Sequence, residues 1–421
     1  CSSDLHHGDV HVCGWCRGEG DEVRSRCLLV PHRHRRRPAA GLAAELVRRA
    51  QRGAVRGGGR LAGPGAGGLG DGLLDRAAAA GADPGGDRAG GLPLGGAVQA
   101  AAAELGYRPN ALAQSMRSGR TNTIGLVIVA DFTNAFFDRA TKAIVDSSRS
   151  RGYEVLITHS DEAIEVERNA VETLLEKQVD GLIVVPSTTA VHDHLSAKQL
   201  NGRPAILIDR RLDGVRLTSV TTDDFQGAEE AVRHAHAMGH KRFAFLIAAP
   251  NIRGYSKERP AALISTVDDR VNGFLNATTD INSRAKHTWI YCEDNPSVSE
   301  AAVMKILDEQ KRPTVIFTSN NDMALAVMKV AGNRQLQLGR DVSLITIDDS
   351  DWAAAMVPGL TVVARPVEEL GRLAVDKLLA EIDADGKPGE KIVLPTELIA
   401  RGSVANLKMY PEYDPEYKGE R

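Results

Sequence analysis

Residues 123 to 404 predict an α/β protein built as two doubly wound, parallel-sheet lobes, and three observations carry that reading. Short β-branched runs alternate with amphipathic segments of ten to twenty residues. The runs are continuously apolar rather than alternating, as in strands covered on both faces of a parallel sheet. The stretch is also too long, at roughly 280 residues, for one open sheet of ordinary size, so it divides into two subdomains.

The strands come in order as TIGLVIVA from Thr123, YEVLITHS from Tyr153, GLIVVPS from Gly181, PAILIDR from Pro204, RFAFLIA from Arg242, TVIFTSN from Thr314 and VSLITIDD from Val342. Between them lie helices. Phe137, Ala140, Ile144, Val145 and Ser148 share one helical face, and Phe225, Ala228, Val232 and Ala235 repeat it. LLEKQVDG and AMGHKR end their helices at a Gly or a polar turn before the next strand. Strand, helix, strand in repetition is the signature of a doubly wound sheet.

Upstream the composition changes. Residues 1 to 97 hold 22 of the 41 glycines, a single aromatic residue (Trp15), and no Phe, Tyr, Ile, Met, Asn or Lys. Such a segment has few means of building a core and reads as flexible, low-complexity chain. The six missing types share AT-rich codons, so their joint absence predicts a GC-rich gene translated out of frame. A genuine disordered extension is the alternative.

Overall the chain is 43% hydrophobic and 25% charged with a net charge of −3, so any attraction to polyanions must be local rather than global. No apolar run reaches eighteen residues and no secretory leader is legible; a cytoplasmic protein without membrane contact is expected. Four of the five cysteines fall before residue 98. Cys13, Cys16, Cys27, His32 and His34 are only loosely finger-like, and no metal site or cofactor is expected there. Cys292 reads as a buried small hydrophobe. His234, His236 and His240 read as surface or capping residues rather than zinc ligands. Gly63 to Gly68 matches a dinucleotide fingerprint formally but lacks the flanking strand and helix.

In doubly wound sheets ligands bind beyond the carboxyl ends of the strands. The polar residues placed there are Asp131 and Asn134, then Asp209, Arg210 and Arg211, then Asp223 and Asp224, then Asn320, Asn321 and Asp322, and finally Asp348, Asp349 and Ser350. With Phe136, Phe137 and Trp352 nearby, this set suits a sugar-like ligand, which needs hydrogen bonds to hydroxyls and an aromatic face for its C–H surface.

From Val98 to about Val404 the sequence resembles the LacI family of transcription regulators. The resemblance is serial. It runs through AAAELGYRPNALAQSMRSGRTNTIGLV, NAFF, VDGLIVVPS, VTTDDFQGAEEAV, GHKRFAFL, DDRVNGF, FTSNNDMALAVM, LGRDVSLITIDDSDW and LTVVARPVEELGRLAVDKLL. It implies a periplasmic-binding-protein-like pair of lobes behind an all-α helix-turn-helix headpiece and a hinge helix. Within residues 98–122 it implies that Pro109 to Gly119 folds as a hinge helix on operator DNA, with Met116, where the family usually has Leu, wedging a base step. Arg108, Arg117 and Arg120 would meet phosphates, and Asn110 and Ala113 share the DNA-facing segment. No recognition-helix signature is found in residues 1 to 97.

For the lobes the resemblance implies a small-molecule effector held by Asn134, Phe136, Arg210, Asp223, Arg270, Asp322, Asp348 and Trp352. Competing readings stay open for some of them. Asp223 begins a helix and suits a cap, Arg210 has Asp209 and Asp213 as ion-pair partners, and Phe137 suits the core as well as the ligand. The implied assembly is a homodimer that represses transcription under effector control. A solute-binding protein and a cleft enzyme are the alternatives, but the hinge segment argues against the first. No GxSxG, Walker loop or HExxH supports the second. The expected layout is residues 123–222 plus about 362–392 for one lobe, residues 223–361 plus about 393–404 for the other, and a polar tail at 405–421.

Overall fold

The computed structural model describes residues 119–129, 134–188, 191–249, 252–261, 263–281, 286–384 and 386–416. The expected hinge residues Arg108, Asn110, Ala113, Met116 and Arg117, and Asp131 on the loop after the first strand, lie outside these described residues.

Lobe 1 opens with β1 (Thr123–Ile128), α1 (Ala135–Ser150), β2 (Glu154–His159), α2 (Ile164–Glu176), β3 (Gly181–Val184), β4 (Ala205–Ile208) and β5 (Thr218–Thr222). The chain then enters lobe 2 through α3 (Asp224–Ala237), β6 (Arg242–Ala248), β7 (Tyr255–Ser256), α4 (Ser265–Ile281) and β8 (Lys286–Cys292). Lobe 2 continues with α5 (Pro296–Leu307), β9 (Val315–Thr318), α6 (Asn321–Asn333), β10 (Ser343–Ile347), α7 (Asp351–Ala355) and β11 (Thr361–Ala364). It returns to lobe 1 for α8 (Val367–Ile382) and β12 (Lys391–Leu394), and to lobe 2 for β13 (Glu397–Ile399).

The first sheet has the order β12-β5-β4-β3-β1-β2, and the second β13-β11-β10-β9-β6-β8-β7. Pairings in the first sheet are parallel. In the second, only the edge partners β7 and β13 run antiparallel. Since β11 pairs with β10, the chain crosses back at Arg365–Pro366, a few residues after the boundary near 362 expected from the sequence. A short β-branched run fits either sheet, and only its pairing decides.

Each sheet is covered on both faces. In lobe 1, Phe136, Ala140 and Ile144 of α1 pack with Leu370, Ala374 and Leu378 of α8, while Val171 and Leu174 of α2 cover the opposite face. In lobe 2, α5 and α6 cover one face and α3 and α4 the other. Asn134 caps α1 by accepting from the amides of Phe136 and Phe137, so the buried face starts at the first turn. The close approach of α4 to α3 requires Gly273, where a Cβ would lie 2.2 Å from the carbonyl oxygen of Phe225.

That contact also corrects one expectation. Ala228, Val232 and Ala235 are buried, but Phe225 is 36% exposed, because α4 meets its backbone rather than its ring. A second correction concerns β2, which is half exposed rather than covered on both faces, with Leu156 and Ile157 open to solvent. It is the outer strand of its sheet, so one side has no neighbour to bury it. Cys292 is fully buried, as its apolar surroundings predict, and burial pushes its thiol pKa up.

Candidate functional site

A cleft of about 610 Å³ opens between the carboxyl ends of the two sheets. Lobe 1 contributes Asn134, Phe136, Asp161, Glu162, Asp209 and Arg210 to its walls. Lobe 2 contributes Arg253, Thr266, Arg270, Glu293, Asp294, Ser319, Asn320 and Asp348, and Arg365 sits where the chain crosses back.

The floor is built from two equivalent turns. Asp209 follows β4 and Asp348 follows β10, each in the left-handed region with φ of 64° and 77°. Each donates its backbone N–H to a neighbouring strand, Asp209 to the Val220 carbonyl and Asp348 to that of Val363, both at 3.0 Å. Aspartate tolerates this conformation better than most residues because its short polar side chain bonds locally. The two carboxylates converge on one guanidinium. Arg365 donates from Nε and Nη2 to Asp348 at 2.6 and 2.9 Å, and from Nη1 to Asp209 at 2.7 Å. Burial works against its charge, but Asp348 and Asp209 outweigh that cost and raise its pKa. The same guanidinium carbon lies 3.7 Å from the centre of the Phe136 ring, a cation–π contact.

The other buried arginines are also matched. Arg210 forms a fork on Glu162 at 2.7 and 2.6 Å and donates to the Pro186 carbonyl at 2.8 Å, while its Nε stands 3.5 Å from Asp209. Burial opposes its charge and Glu162 restores it, so its pKa is raised. Arg270 donates from Nε to Asp224 at 2.6 Å and from Nη1 to the Ser319 carbonyl at 2.9 Å. Asp294 also lines the cleft, with its residue surface exposed. Partial desolvation of its carboxyl by the cleft, with the charges of Asp322 and Glu162, pushes its pKa up to about 6 against the opposing hydrogen bond of Asn320.

The structure brings Asn134, Phe136, Arg210, Arg270 and Asp348 together at this cleft. Asp322 lines an adjoining cavity of about 480 Å³ that shares Asn134, Asp161 and Asp294 with the main one. Two expected residues stand elsewhere. Asp223 caps α3, accepting from the Gln226 amide at 3.0 Å, because a carboxylate just before a helix is drawn to its free amides. Trp352, half-buried on α7, packs against the core that α5 and α6 cover. Arg120, expected on phosphate, donates to Asp383 at 2.6 Å and to the Ile382 carbonyl at 3.1 Å at the end of α8. Beside it, Asp180 accepts from the amides of Thr121 and Asn122, both at 2.8 Å, tying the start of the described chain to lobe 1. His240 is neither a surface nor a capping residue. It is buried, with Nδ1 2.8 Å from Thr314 Oγ1 and Nε2 3.1 Å from the Ala405 carbonyl oxygen. Among the described residues, no group of three or more His, Cys, Asp or Glu is arranged to hold a metal ion.

Strand-end reasoning passed over Arg365, Glu162 and Asp294. Arg365 carried a usable signal, since it directly follows the apolar run LTVVA.

Residues 232–404 match the family described as periplasmic binding protein-like domain. The chain is 29% identical over 300 residues to catabolite control protein A of Priestia megaterium, covering 71% of this chain and 86% of that protein. It is 28% identical over 318 residues to the ribose operon repressor of Escherichia coli, covering 73% and 89%. The chain is similar to LacI-family regulators. Its fold is similar to that of a LacI-family transcriptional regulator from Enterococcus faecium with bound ribose. The TM-score is 0.57 at 26% identity, covering 68% of this chain and 99% of that one.

Proposed function

We propose that the protein is a ligand-responsive transcriptional repressor, a regulator rather than an enzyme, whose two lobes hold a small sugar-like effector. The observation that carries this reading is the polar cleft between the lobes of a chain similar to LacI-family regulators. Asn134, Asn320 and Asp294 at its outer end and Arg270 deeper in supply donors and acceptors suited to hydroxyls, and Asp322 extends the acceptor set into the adjoining cavity. Operator DNA is assigned to the segment before Arg120, with Met116 as the wedge and Arg108, Asn110, Ala113 and Arg117 beside it. An effector shifts the lobe angle only by the difference in its affinity for the two states, typically about 1 to 3 kcal/mol.

A homodimer fits the exposed apolar surface. Leu156, Ile157 and Val166 mark lobe 1, and Met304 and Leu325 mark lobe 2.

The test is isothermal calorimetry of the full chain with D-ribose and a panel of neutral pentoses and hexoses, paired with a mobility shift on the DNA upstream of the gene. Saturable binding of a panel member is expected, while this chain, whose residues 1 to 97 hold no recognition-helix signature, is expected to retain the DNA without sequence specificity. Failure of every panel member to bind saturably would remove the effector reading.

A further inference from the structure

The four guanidinium groups of the cleft differ from those of a typical anion receptor in being already matched. Arg210 is held by Glu162, Arg270 by Asp224, Arg365 by Asp348 and Asp209, and the solvent-exposed Arg253 stands 3.6 Å from Glu293. Among the described residues, six carboxylates line the cleft against four guanidinium groups.

Arg365 is the centre of this arrangement. It joins the carboxylate at the end of β4 in lobe 1 to the one at the end of β10 in lobe 2, and its own side chain is buried to all but 4%. Its guanidinium also covers Phe136, the face a sugar ring would need for stacking. Three of its N–H groups are committed to the two aspartates. A guanidinium carries five, so two remain for neutral acceptors.

We propose that Arg365 determines the charge class of the effector. By committing its guanidinium to Asp209 and Asp348 it makes both carboxylates structural, and the remaining cleft selects an uncharged, hydroxyl-rich molecule over carboxylated or phosphorylated ones. The reason is electrostatic. At Arg365 an entering anion gains the guanidinium fork only by displacing Asp348 or Asp209, which is then left buried without a partner, and that loss exceeds the gain. Hydroxyls avoid the exchange, since they accept from the spare N–H groups and donate to the carboxylates' spare lone pairs.

This inference rests on the cleft being the effector site, yet its test uses no effector and no DNA, so the two readings fail separately. Thermal unfolding of the full chain is followed against inorganic phosphate at constant ionic strength. In wild type the transition does not shift saturably. In Asp348→Asn the freed fork binds phosphate bidentately, and the transition rises saturably by about 3 °C at ten times the dissociation constant. Adding Arg365→Gln to that variant abolishes the rise. Asp209→Asn serves as the same test should Asp348→Asn not fold. Saturable stabilisation of wild type by phosphate overturns the proposal. So does a folded aspartate variant that gains none.

Discussion

His240 shows how a single residue's burial becomes a property of the whole chain. It is inaccessible to solvent, and burial lowers its pKa to about 4. In the unfolded chain the imidazole titrates near its ordinary value of about 6.5. Between these values the unfolded state binds the proton and the folded state does not, so stability falls as pH drops through that window and levels off below it. We expect wild type to lose about 2 kcal/mol between pH 7 and pH 5 by this route, and His240→Gln to lose less. Urea unfolding at the two pH values checks it, and equal losses in both proteins would assign the effect elsewhere. The histidine was visible in GHKRFAFL, but nothing local distinguished a buried imidazole from a surface one. Its partners Thr314, Ser343 and Ala405 lie far along the chain. The same limit applied to Asp223 and Asp348. Both are strand-end aspartates in the sequence; in the structure one caps a helix and the other meets Arg365.

At the scale of elements, two glycines predict opposite signs. Gly273→Ala places a methyl 2.2 Å from a backbone oxygen, so α3 and α4 must separate, and a cost of about 1 to 3 kcal/mol is expected. Gly332, in the last turn of α6, has nothing within 4 Å of its would-be Cβ. Gly332→Ala is expected to stabilise by about 0.5 to 1 kcal/mol through the backbone entropy that glycine forfeits. Denaturant midpoints of the two variants test the pair, and a stabilising Gly273→Ala would show that the helices already have slack. Periodicity located these helices in the sequence, because a face of apolar residues is a local property. How closely two helices approach depends on both partners, which is why Phe225 was expected inside and stands partly outside.

For the whole molecule, the exposed β2 edge carries a prediction about assembly. Leu156→Lys together with Ile157→Lys puts charge on an apolar strand edge, a device by which proteins block edge association. We expect the doubly substituted chain to shift from dimer to monomer in size-exclusion chromatography with light scattering, with a far-ultraviolet spectrum unchanged from wild type. A dimer of undiminished mass would place the subunit contact on another surface.

The sequence by itself determined the α/β class, the order of seven of the strands with helices between them, the end of each strand at which polar residues gather, and the family resemblance. These follow from continuous apolar runs, from the helical period of 3.6 and from motif spacing, which are written along the chain and do not depend on distant partners. Tertiary structure decided which sheet each late strand joins, since β11, β12 and β13 are short and divide between lobes by pairing. It also decided that Asp209 and Asp348, 139 positions apart in sequence, meet on Arg365, and that Arg120 faces the end of α8. The physical reason is the same throughout. Hydrophobic burial is read residue by residue, whereas a buried charge is stable only beside its counter-charge, and the chain must fold before that partner has a place.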